Sequence, residues 1–154
     1  MRRALILAIA VLTLALAAPA GTAIVVQRGI AGLQLQMTKA QVRANLGAPT
    51  KVKTGKNEFG RFTQFVYPRV TVLFQSGSRV TALRTFSRAE RTSAGVGVGS
   101  REAGVKAKVA GVKCESVSGA RHCYVGRFLP GKRITDFFIR RGKVTSVVVG
   151  FVVD

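Results

Sequence analysis

Acidic residues are scarce in this chain: six Asp and Glu stand against 25 Lys and Arg, for a formal net charge of +19. Its 154 residues include no Trp, one His, two Tyr, two Cys and four Pro. Each shortage excludes something. The six acids, Glu58, Glu90, Glu102, Glu115, Asp136 and Asp154, form no pair in a shared motif, as glycoside hydrolysis needs. His122 is the one imidazole available to a Ser/His/Asp arrangement, and beside Cys123 it reads as a solvent-exposed strand residue. The two Cys lack C-x-x-C spacing and a second ligand cluster, so neither a metal nor a redox pair is indicated. Gly95-Val96-Gly97-Val98-Gly99 has neither G-x-G-x-x-G spacing nor a Gly-Lys-Ser/Thr ending, so it is no phosphate loop. The expectation is a protein that is not an enzyme and carries no metal or cofactor.

What is present fits a folded chain. A hydrophobic fraction of 47% supplies enough apolar surface to offset ordering entropy, which excludes a disordered basic tail. The length suits one compact domain or two small ones. Met1-Arg2-Arg3 precedes an uncharged, almost wholly apolar run from Ala4 to Ala17. Ala18-Pro19-Ala20 and Gly21-Thr22-Ala23 then offer two small-x-small sites, so residues 1–23 read as a secretory signal peptide. A membrane-spanning helix needs about 20 apolar residues, and this run is shorter. An uncleaved anchor is the competing reading. The expected location is secreted or in the extracytoplasmic cell envelope, with no integral span once the signal is removed.

Cys114 and Cys123 fit export as a structural disulfide. Ser118-Gly119 between them suits a two-residue hairpin turn. Folding there pairs Val117 with Ala120, Ser116 with Arg121, Glu115 with His122, and Cys114 with Cys123. The cysteines then occupy a non-hydrogen-bonded position, where opposed residues are close enough to bridge.

The remainder reads as α+β: two tandem units, each a short helix packed on a small antiparallel sheet, over residues 24–91 and 92–154. Shifting by about 63 residues aligns Gly32, Leu33, Leu35, Ala40, Val42 and Leu46 with Gly95, Val96, Val98, Ala103, Val105 and Val109. Thr38 and Gln41 form a capping box before Val42 and Leu46, and Gly47 with Pro49 ends that helix. Ser100 is the expected cap of the second helix. Strands are expected over Thr63–Tyr67, Val70–Phe74, Val80–Phe86, His122–Phe128, Arg133–Arg140 and Lys143–Val153; if Asp136 faces water, Phe137 and Ile139 face the core.

Gly32-x-x-x-x-Met37-Thr38-Lys39-Ala40-Gln41-Val42-Arg43-x-x-Leu46-Gly47-x-Pro49-Thr50, followed by Val70-Thr71-Val72-Leu73-Phe74 and Gly77-x-Arg79-Val80, resembles the SmpA/OmlA (BamE-like) module. Two such units with a hairpin disulfide are similar in layout to secreted β-lactamase inhibitor proteins. The resemblance implies a small α+β module that presents a sheet face to other proteins.

Basic residues gather at Lys51, Lys53, Lys56, Arg61 and Arg69, and again at Arg121, Arg127, Lys132, Arg133, Arg140, Arg141 and Lys143. Their field attracts acidic proteins, anionic polymers and membrane surfaces. The expected function is a non-enzymatic, secreted or envelope protein-binding module. The alternative is a basic protein associating with anionic envelope components. The export signal disfavours nucleic acid. Tyr67, Tyr124, Arg127 and Arg140 are the candidate binding residues.

Overall fold

The computed structural model describes residues 23–153. The expected signal peptide, save Ala23, lies outside the described residues. Among the described residues no helix is long and apolar enough to cross a membrane.

The first helix, α1 (Lys39–Leu46), forms where the capping residues direct it. The Gln41 N–H donates to Thr38 Oγ1 at 3.2 Å, and the Thr38 N–H donates to Gln41 Oε1 at 2.8 Å. Gly47 closes it at φ 76°, in the left-handed region that suits glycine. Val42 is wholly buried. The second helix, α2 (Glu102–Lys108), starts differently from the expectation. Its cap is Arg101, with no side-chain bond. Ser100 Oγ instead accepts from the Gly97 N–H and from Arg91 Nη1, which braces the loop before the helix.

Before α1 lies a minimal ribbon, β1 (Gly29–Ile30) and β2 (Leu33–Gln34). After it come β3 (Lys51–Asn57), β4 (Gly60–Val66), β5 (Thr71–Gln75) and β6 (Ala82–Thr85). After α2 come β7 (Lys113–Val117), β8 (Ala120–Gly126), β9 (Arg133–Arg140) and β10 (Lys143–Phe151). These last eight strands form one sheet in the order β3-β4-β5-β6-β10-β9-β8-β7, antiparallel at every step.

That order overturns the expected fold class. The protein is mostly β and built on one eight-stranded sheet, not on two tandem α+β units. The two helices among the described residues hold only eight and seven residues. The resemblance to the SmpA/OmlA (BamE-like) module, and to the layout of β-lactamase inhibitor proteins, falls with it. The physical reason is the seam. Ala82, Leu83, Arg84 and Thr85 of β6 lie opposite Gly150, Val149, Val148 and Val147 of β10. Neither strand is an edge, because each satisfies its backbone groups on both sides. Gly150 permits the closest approach: a Cβ there would meet the Ala82 Cβ at 3.0 Å.

Register assigns each residue to a face, since directly opposed residues share one. Val52, Phe65, Val72, Leu83, Val149, Thr135 and Val125 make one row across the covered face. Thr85, Val147, Phe137, Cys123 and Cys114 make the next. Val42 of α1, Val105 of α2, and Ile30 and Leu33 of the ribbon bury themselves in the same core. Arg43 and Lys39 of α1 lie over the rings of Phe65 and Phe74, 4.7 and 5.4 Å from their centroids. The other face carries neither helix.

Candidate functional site on the open sheet face

The hairpin forms with the expected register, and a Cys114–Cys123 disulfide closes it across a Cα separation of 4.0 Å. Ser118 and Gly119 both take positive φ, as a two-residue hairpin turn demands. The sulfurs lie on the covered face. The intervening residues of each strand therefore project from the opposite one, and two rows of the open face follow from pairing alone. The first runs Lys51, Val66, Thr71, Arg84, Val148, Asp136, Tyr124 and Lys113 across all eight strands. The second runs Ser146, Phe138, His122 and Glu115.

Where these rows cross β7, β8 and β9 they build a cluster around His122. Its Nδ1 lies 3.0 Å from Asp136 Oδ1, and its Nε2 lies 3.8 Å from Glu115 Oε1. Tyr124 sits 5.4 Å from the imidazole, Phe128 5.7 Å and Phe138 6.4 Å between centroids. Tyr124 and Phe128 meet edge to face at 4.7 Å. These rings cover the imidazole, so His122 is buried, contrary to the expected solvent-exposed strand residue. Asp136 is also on this face but buried, while Phe137 and Ile139 face the core. Burial pushes its carboxyl above the usual range, against the opposing pull of His122 and Arg84. Burial and the nearby Glu115 carboxylate likewise raise the Tyr124 phenol.

At the seam the same face carries Arg84. Its guanidinium lies 4.8 Å from the Phe86 ring and 5.4 Å from the Phe138 ring. It also donates to Ser146 Oγ at 3.1 Å. Phe86 is 62% exposed, and Phe128 and Leu129 are exposed as well. The open face thus presents aromatic rings and a stacked arginine side by side.

The four candidate binding residues have different fates. Tyr124 belongs to the His122 cluster. Arg127 and Arg140 are both exposed, but they flank opposite ends of β9. Gly126 pairs with Ile134, which leaves about 20 Å of strand between them. Tyr67 is part of the core: its hydroxyl donates to the Gly47 carbonyl at 3.1 Å, closing the end of α1. Arg84, Phe86, Phe128 and Phe138 were not singled out by sequence. The disulfide register alone places Glu115 opposite His122, yet the partners of Arg84 depend on the seam.

No protein-family model matches the chain, and no curated protein matches its sequence. A crystal structure of a DUF4309 family protein, YjgB of Bacillus subtilis, is similar at a TM-score of 0.49 and 16% identity. The match covers 79% of this chain and 84% of that one.

Proposed function

We propose that this protein is a non-enzymatic docking module, exported to the cell envelope or beyond it, that binds an acidic partner protein through the open sheet face. The observation that carries this is the juxtaposition of Tyr124, Phe128, Phe138 and Phe86 with Arg84 on a face that neither helix covers. Aromatic residues and Arg are the types enriched in the energetic centres of protein interfaces. Charge complementarity names the partner's sign, because the chain carries +19. The disulfide and the signal-like N-terminus support export. A docking role rather than catalysis is supported by the burial of His122 beneath its aromatic neighbours.

A second reading, association with anionic envelope polymers, draws on β3 and β4. Every residue of β3 is exposed, and Lys51, Lys53, Lys56 and Arg61 line this edge ribbon. Salt separates the two readings. Capture from the producing cell's envelope fraction should persist between about 50 and about 200 mM salt if the aromatic face docks a protein. A steep loss over that range would instead favour the polymer.

A further inference from the structure

Beside the His122 cluster, a cleft of about 530 Å³ opens on the same face near the β9–β10 turn. Arg84, Phe86, Phe138, Arg140, Arg141 and Ser146 line it, and among the described residues no acidic side chain does. Arg84 is already held in place by the two rings and by Ser146. An arginine fixed this way gives up little further rotamer freedom when a ligand arrives. Asp136, the carboxylate that Arg84 acts on, is engaged with His122 Nδ1. A second cleft of about 610 Å³ shares Arg140 and Arg141 and adds Arg88 and Lys143, again with no acid among the described residues.

We propose that the Arg84 cleft is a carboxylate-binding site that takes an Asp or Glu side chain of the docked protein. This rests on the docking reading and specifies the partner's chemistry. The guanidinium fork matches a carboxylate through two parallel N–H···O bonds, and Arg140 and Arg141 add long-range attraction. The wall made by Phe86 selects the source of the carboxylate. A protein segment carries apolar groups beside its charges and can cover that ring, whereas a uniformly charged polymer cannot.

The test titrates the full folded chain with an acetylated, amidated peptide of alternating Glu and Leu, and in parallel with inorganic polyphosphate. At about 150 mM ionic strength, R84Q and R84K should each weaken peptide binding about tenfold. R127Q removes the same charge from the far end of β9 and should weaken it less than about twofold. R84K keeps the charge and loses the fork, so wild-type affinity in that variant would overturn the site. Equal losses in R84Q and R127Q, or no peptide binding at all, would also overturn it. So would polyphosphate binding more tightly than the peptide with the same Arg84 dependence. Failure of the docking reading looks different: the peptide still binds at Arg84, while capture from the envelope ignores the aromatic residues.

Discussion

Glu102 illustrates how a single acid works in so basic a chain. It stands at the start of α2, where a negative charge also suits the helix dipole. Arg121 of β8 donates to it at 2.6 Å, and Lys106 lies 2.8 Å from it one turn along the helix. Hydrogen bonds from Arg121 and then Lys106 hold its carboxyl down at about 2. The unfolded chain takes up its proton near the ordinary value of 4.5, before the folded one does. The contribution to stability is therefore full above that value and disappears as pH falls toward 2. Glu102→Gln should melt below the wild type at pH 7, and the two should converge near the lower limit. Thermal melts across that range check this, and a gap independent of pH would refute it. Residue identity made the capping box and the hairpin pairing legible, because both are local. It hid the burial of His122, which depends on Phe128 folding back from the loop after β8.

Elements differ in what ties them down. The loop between β6 and α2 is fastened by Glu90, which is wholly buried and salt-bridged by Arg69 from the β4–β5 turn. The hydroxyl of Thr85 donates to the Arg69 carbonyl and holds the same turn. Arg69→Ala leaves that carboxylate buried without its cation, and should cost about 2 kcal/mol or more. Adding Glu90→Gln to that variant should recover part of the loss, as chemical denaturation can measure. A loss unchanged by the second substitution would mean that Arg69 acts through packing alone. The β7–β8 edge depends instead on its disulfide. Strand β3 escaped the sequence reading because Lys51-Val52-Lys53-Thr54-Gly55-Lys56-Asn57 has no apolar alternation. An edge ribbon exposed throughout needs none, and its lysines discourage pairing with other chains. Phe62 on β4 lies over Gly55 and takes the place of the missing side chain.

At the scale of the whole molecule, the seam between β6 and β10 decides both fold and site. It joins residues more than 60 positions apart in sequence, so no local pattern announces it. Reading each helix-then-strand stretch as its own unit ended the sheet where it continues. The seam also brings Arg84 of β6 to Ser146 of β10 and to Phe138 of β9. Residues 24–91 alone would expose β6 as a new edge and lose the Val147 and Val149 side of the core. That fragment should fail to melt cooperatively, whereas a transition matching the full chain would contradict a single interdependent sheet. Docking through the open face makes opposite demands on the aromatic cluster and on the basic edge ribbon, and one comparison of variants separates them. Capture from the envelope fraction at about 200 mM salt should be lost in F86A/F128A and retained in K56Q/R61Q, whose side chains lie on the opposite face of the edge ribbon. Capture lost in K56Q/R61Q and retained in F86A/F128A would contradict such docking.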